Sequence, residues 1–261
     1  MNTKQITELA IRRHDEDAEF FQNVYSGTLH SAQSQVFLYG RNMILEELEI
    51  LLQTVPKGGN ILDVGCGTGH LTNWLKEKGY HVCGVEPSEE MYQYAVNNFP
   101  GIDFKKSISS SLPFNDESFD LVIALEVLRY LEDEENNATY KEFYRVLKND
   151  ARIFVTHVNL FSTDGYFFFY NAISVMHSLS NKPYHFCNFT TPSKQVKMLI
   201  DNNYKNITTI GRMAGAVRIF YKFGNFIGNK FGELIKRTSE QRYTKGVLKS
   251  MAGHLIVIAQ K

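Results

Sequence analysis

The order of elements predicts an α/β fold, a doubly wound and mainly parallel sheet with helical additions at both ends. Three observations carry this reading. Between residues 56 and 160, short apolar runs alternate with helical patterns at the spacing of βαβ units. The first of those runs, Asn60–Val64, enters a glycine cluster and then a helix. A chain of 261 residues with 43% hydrophobic content can bury one large core and still build a cap.

Each element has a local reason. Residues 1–55 read as an N-terminal helical cap. There Ile44, Leu45, Leu48, Leu51 and Leu52 recur at helical spacing, with Glu46, Glu47 and Glu49 opposite. Pro56-Lys57-Gly58-Gly59 stops that helix. Residues 56–160 form the core, with strands expected at 60–64, 80–85, 102–105, 119–125 and 152–158. Helices fall between them at 70–78, 89–98 and 136–147. Residues 161–210 read as an insertion: an aromatic run at 165–170, a helix over 191–202 and a strand over 205–210. In 211–253, Ala216, Phe220, Phe223, Ile227, Phe231 and Leu234 make one apolar helical stripe among many Lys and Arg, a basic helical cap. Residues 254–261 are the last strand of the core sheet.

Composition excludes several functions. Lys+Arg and Asp+Glu are both 28, so no basic field points to nucleic acid. The three cysteines, Cys66, Cys83 and Cys187, show no zinc spacing, and no metal site is expected. Sparse unpaired thiols and the lack of an apolar leader predict a cytoplasmic protein. The weakly charged stretch around 165–181 is broken by Asn, Ser and His, against a membrane span.

The chemistry concentrates in Ile61-Leu62-Asp63-Val64-Gly65-Cys66-Gly67-Thr68-Gly69. Glycines there let the backbone approach a ligand, and the helix behind offers free N–H groups. The spacing is G-x-G-x-G with an acid on the strand. The dinucleotide fingerprint is instead G-x-G-x-x-G. Glu86, at the end of the second strand, can accept hydrogen bonds from both hydroxyls of a ribose.

Five segments together resemble the class I S-adenosylmethionine-dependent methyltransferases, most closely the small-molecule branch that includes the quinone-biosynthesis enzymes. They are LDVGCGTG (62–69), GVEPSEEM (84–91), SLPFNDESFDLV (111–122), EVLRYLED (126–133) and RVLKNDARIFVT (145–156). The resemblance implies a Rossmann-like seven-stranded sheet and S-adenosylmethionine as cofactor. It implies that Gly65, Cys66 and Gly67, in the loop closed by Gly69, line the methionine part of the cofactor. Asp63 braces the loop, Glu86 holds the ribose, and Pro87 and Met91 lie near the adenine. Ser109 meets the adenine edge through its backbone, Glu126 and Val127 floor the transfer site, and Arg41 reaches the cofactor carboxylate. Relatives often carry Asp where this chain has Ile108, and His where it has Arg129.

Methyl transfer needs alignment of donor and acceptor and exclusion of water. A hydroxyl acceptor also needs a base. His157 and His185 are the candidates, with Tyr25 and Tyr130 as alternatives. Cys66 reads as a small loop residue and not a nucleophile. The function implied is methyl transfer to a small or lipid-linked acceptor, most naturally at oxygen, with 211–253 open to peripheral membrane contact. A non-catalytic cofactor- or partner-binding protein and a nicotinamide oxidoreductase stay open as alternatives.

Overall fold

The computed structural model describes residues 3–179, 186–213, 215, 217–238 and 246–261. Two helices lead the chain, α1 (Thr3–Tyr25) and α2 (Ala32–Leu52). The alternation then runs β1 (Asn60–Val64), α3 (His70–Glu77), β2 (His81–Val85), α4 (Glu89–Asn98), β3 (Asp103–Lys105), β4 (Phe119–Ala124), α5 (Asp133–Val146) and β5 (Leu147–Asn159). The remainder comprises α6 (Tyr166–Leu179), β6 (Phe189–Thr190), α7 (Pro192–Asp201), β7 (Lys205–Arg212), α8 (Val217–Tyr221), α9 (Asn225–Thr238) and β8 (His254–Gln260).

The strands form one sheet in the order β3-β2-β1-β4-β5-β8-β7, and β6 adds a two-residue eighth strand beside the end of β5. β1 to β5 run parallel, and β8 runs antiparallel to both β5 and β7. The winding reverses between β1 and β4. A parallel sheet opens a crevice at such a point, at the carboxyl ends of its strands.

Strands covered on both faces must be apolar on both. Leu62, Val122, Ile153 and Val155 pack toward Tyr140 and Phe143 of α5. Ile61, Leu121, Ile123 and Phe154 pack toward Ile44 and Leu48 of α2 and Leu75 of α3. Each fully buried Leu or Ile contributes roughly 1.5–3 kcal/mol. Caps set the helix starts: Ser88 accepts from the Met91 N–H ahead of α4, and Thr191 accepts from the Lys194 N–H ahead of α7.

Two expectations change. Residues 161–210 are not wholly an insertion, because β7 pairs with β8 inside the core sheet. The stripe in 211–253 is not one helix. The chain turns at Gly224 between α8 and α9, and Phe220 stacks on Phe231 with ring centroids 3.4 Å apart. Val217 and Tyr221 bury themselves against Val36 and Met43 of α2, which fixes α8 while Phe223, Ile227 and Leu234 stay exposed. Ala216 lies outside the described residues. Among the described residues, no helix is long and apolar enough to cross a membrane.

Candidate functional site

The glycine loop is tied to the end of β2. The N–H groups of Gly65 and Cys66 both donate to the carbonyl of Val85, at 2.7 and 3.0 Å. Gly65 has φ +67°, and a β-carbon there would lie 2.3 Å from Cγ2 of Val127. Gly67 has φ +55°, but the nearest atom to its β-carbon position is Sδ of Met91 at 3.6 Å. The first glycine is thus demanded by packing, and the second opens the crevice wall. Gly69 caps α3 behind that wall.

Glu86 binds this loop from the neighbouring strand. Its Oε2 accepts from the Gly67 N–H at 2.8 Å and its Oε1 from the Ser88 N–H at 2.9 Å. The side chain is buried, and burial pushes its carboxyl up to about 7 against the pull of those two bonds. Asp63, on β1, accepts from the Thr72 hydroxyl at 2.7 Å, and burial raises it to about 6. Burial also lifts the Cys66 thiol well above its ordinary value.

A cavity of about 460 Å³ opens above the loop, within the usual range for a small-molecule site. Arg41, Asp63, Gly65, Cys66, Gly67, Glu86, Pro87, Met91, Ser109, Glu126 and Val127 all line it, and Gly69 does not. The Ser109 hydroxyl is 2.9 Å from that of Thr139, which leaves its position pinned at the wall. The residues suit S-adenosylmethionine. Each Glu86 oxygen spends one lone pair on the backbone and keeps capacity for a ribose hydroxyl. Pro87, Met91 and Ile108 offer apolar walls to a purine, and Arg41 a cation to a carboxylate.

α1, within the 1–55 segment read as a helical cap, roofs the cavity. His14, Asp17, Phe21 and Tyr25 line the roof. Asp15 clamps it down, accepting from the Ser88 hydroxyl at 2.6 Å and the Glu90 N–H at 3.3 Å. Tyr25 stacks on His70, with centroids 4.6 Å apart, and the Arg41 guanidinium lies 4.9 Å from the Tyr25 ring centre. Burial raises the Tyr25 phenol.

The far end is polar and tightly paired. Glu126 follows β4 with φ +61°. Its N–H donates to the Thr156 hydroxyl at 2.8 Å, and that hydroxyl donates back to Oε1 at 3.2 Å. Arg129, in the 3-10 turn Leu128–Tyr130, donates to Oε2 at 2.7 Å. His254 Nδ1 lies 3.2 Å from Oε1, at ion-pair distance but off hydrogen-bond geometry. Burial alone would raise Glu126; His254 and Arg129 outweigh it and hold the carboxyl well below the usual range. Arg129 is buried and also donates to the Tyr166 hydroxyl. Arg218 of α8 lines the cavity too and donates to the fully buried Asp164 at 2.5 Å. Burial opposes the charge on Asp164, but Arg218 pulls its carboxyl below the ordinary value.

Two candidates change places here. His157 does not reach the cavity. It shares strand parity with Ile153 and Val155, so it faces α5, where Nε2 meets the Tyr140 hydroxyl at 2.8 Å. Burial pushes it down to about 3. Three histidines line the cavity, His14, His70 and His254; of these His254, whose ladder partner is Val158, is the one beside Glu126. Its sequence signal was only its place at the head of the last strand. His185 lies outside the described residues. Tyr25 and Tyr130 both line the cavity. Among the described residues no cluster could hold a metal ion.

A parallel sheet whose winding reverses above a glycine loop, with a strand-end carboxylate on that loop, is the Rossmann-like arrangement in which a ligand binds at the switch point. Residues 61–150 match the model of the methyltransferase domain family. An uncharacterized methyltransferase of Alkaliphilus oremlandii is 26% identical over 150 residues, 55% of this chain and 66% of that protein. YqeM of Bacillus subtilis, which also carries a methyltransferase name, is 37% identical over 103 residues, 38% of this chain and 42% of that protein. The chain therefore spans less than two thirds of each of these two relatives. In fold it is similar to an S-adenosylmethionine-dependent methyltransferase of Thermotoga maritima, with TM-score 0.57 and 21% identity over 86% of this chain and 92% of that one. One from Methanosarcina mazei gives TM-score 0.56 and 20% identity, over 81% and 96%.

Proposed function

We propose that this protein transfers the methyl group of S-adenosylmethionine to an oxygen of a small or lipid-linked acceptor. The observation that carries the oxygen assignment is His254 beside the Glu126 carboxylate in the same cavity as the glycine loop and Glu86. S-adenosylmethionine supplies a methyl group on a positively charged sulfur, ready for in-line displacement. Glu86 and the Gly67 backbone hold the ribose end, and Arg41 the carboxylate end. His254 takes the hydroxyl proton of the acceptor on its imidazole ring. Glu126 faces Nδ1 and balances the imidazolium that forms.

Arg129 is neutralised by the half-buried Glu126 carboxylate and Arg218 by the buried Asp164 carboxylate, so they shape the chamber and are not open anion receptors. The rings of Tyr130 and Tyr166 flank Arg129 at 5.3 and 4.7 Å and suit a flat acceptor, such as an aromatic hydroxyl. That agrees with the quinone-biosynthesis branch the sequence resembles. The α1 roof excludes water from the transfer. We place the activity in the cytoplasm, a reading supported by the free thiols of Cys66, Cys83 and Cys187.

Incubation with methyl-labelled S-adenosylmethionine and fractions of a cell extract tests the reading. The expected product is a hydroxyl compound heavier by one methyl. Calorimetry alongside should show binding of S-adenosylmethionine and its demethylated form but not of NAD. Donor binding with label appearing only on nitrogen or carbon would refute the oxygen assignment.

A further inference from the structure

We infer that α6 and the α8–α9 pair form a docking surface for an anionic lipid bilayer. This goes beyond the methyl-transfer reading.

α6 is apolar over its 14 residues, with no Asp, Glu, Lys or Arg, yet none of its described residues is buried. Phe168 is 72% exposed, Val175 59% and Leu179 84%. Phe223 and Phe226, at the start of the α9 arm, are 68% and 79% exposed. Single exposed apolar side chains are ordinary, but a cluster of this size marks an interaction surface. The two parts adjoin. The Lys222 ammonium lies 3.7 Å from the Phe169 ring centre, and the Arg218 guanidinium 5.0 Å from that of Tyr166.

Charge selects the partner. Lys222 is exposed beside α6, and Lys230 and Arg237 are exposed on α9, against one acid on α9, Glu233, and none on α6. Arg218 and Lys236 do not belong to this set, because Asp164 and Glu46 neutralise them. Two copies pressed together through this face would set cation against cation. An anionic bilayer meets both the charge and the apolar side chains, as it does for interfacial helices. At 1.5 Å per residue α6 is roughly 21 Å long, too short to cross about 30 Å of hydrocarbon, so it lies in the interface plane. The surface is wider than the 211–253 segment, and its main apolar face is α6. Tyr166 and Arg218 also line the cavity, so docking sets the acceptor end of the chamber beside the membrane.

The test is flotation of the full chain with vesicles of phosphatidylcholine alone and of phosphatidylcholine with phosphatidylglycerol, next to gel filtration. The protein should float with the anionic vesicles, and added salt should weaken this. Phe168→Ser/Val175→Ser/Phe226→Ser should lower the partition roughly tenfold while S-adenosylmethionine affinity is kept, showing an intact core. Lys222→Glu/Lys230→Glu, at exposed positions that leave the apolar residues in place, should lower it by a similar factor. Failure of the full chain to float with anionic vesicles overturns the inference, as does flotation that neither variant weakens. A dimer that the apolar variant converts to monomer, without vesicle binding, would give the face to a second copy and also overturn it.

Discussion

The two ends of the cavity are built in different ways. At the cofactor end, the contacts come from residues close together in the chain and largely from the backbone. Glu86 is held by the N–H groups of Gly67 and Ser88, and Gly65 by the carbonyl of Val85. At the acceptor end, the contacts join side chains from distant segments: Glu126 to His254, Asp164 to Arg218 and Arg129 to Tyr166. A shared cofactor can be met by backbone geometry at the switch point of the sheet. An acceptor must be met by side chains, and those are free to differ between proteins on one fold.

The sharpest way to separate the ends is at the two glycines. Gly67→Val should abolish S-adenosylmethionine binding, since the side chain enters the cavity at a φ that disfavours it, while circular dichroism stays native. Gly65→Ala should act on the fold instead, because Val127 must move; about 1–3 kcal/mol of stability should be lost in urea unfolding. Equal effects of the two on melting and binding would erase the distinction.

At the acceptor end, Arg218→Ala leaves the buried Asp164 carboxylate, which also accepts from the Tyr166 N–H, without its guanidinium partner. It should cost about 3–5 kcal/mol in denaturant unfolding, and Arg218→Ala/Asp164→Asn should recover part of that. His254→Gln should lower kcat by roughly 10²–10⁴ and leave donor affinity unchanged in calorimetry. A fall in donor affinity instead would move His254 to the cofactor end.

At Glu86 the expected effect is smaller than at Gly67. Glu86→Gln should weaken S-adenosylmethionine binding by roughly ten- to hundredfold, the range for hydrogen bonds to a charged group. In the wild type, ribose hydroxyls favour the ionised carboxylate, so donor affinity should rise with pH through about 7. Stability of the free protein should move oppositely. Glu86 and Asp63 are raised by folding, to about 7 and about 6. Their contribution is complete below their unfolded values and lost as pH rises through that range. Thermal melts with and without donor across this range would show the two trends crossing; parallel curves would take Glu86 out of the site.

The cofactor end was legible from the sequence because its determinants are short-range. A strand, a glycine turn and a strand-end acid within one βαβ unit can only fold toward one another. His157 shows where that logic stops. Its place on β5 could be read, but the pleat turns alternate residues to opposite faces, and which face holds the cavity is set by the whole sheet. The stripe of 211–253 failed for a related reason. Its periodicity is real, but contacts with α2 at Val217 and Tyr221, and the turn at Gly224, divide it between two helices.

By itself the sequence determined the alternating sheet, the glycine loop and the carboxylate that braces it, since local dihedrals and hydrophobic periodicity act over a few residues. Only the tertiary structure decided which residues of α1 line the cavity and that His254 rather than His157 faces it. It also decided that Arg129 and Arg218 are spoken for by Glu126 and Asp164. Those outcomes depend on which chain-distant side chains meet in a low-dielectric interior, where an unpaired charge is too costly to stand and a partner must come from wherever the fold brings one.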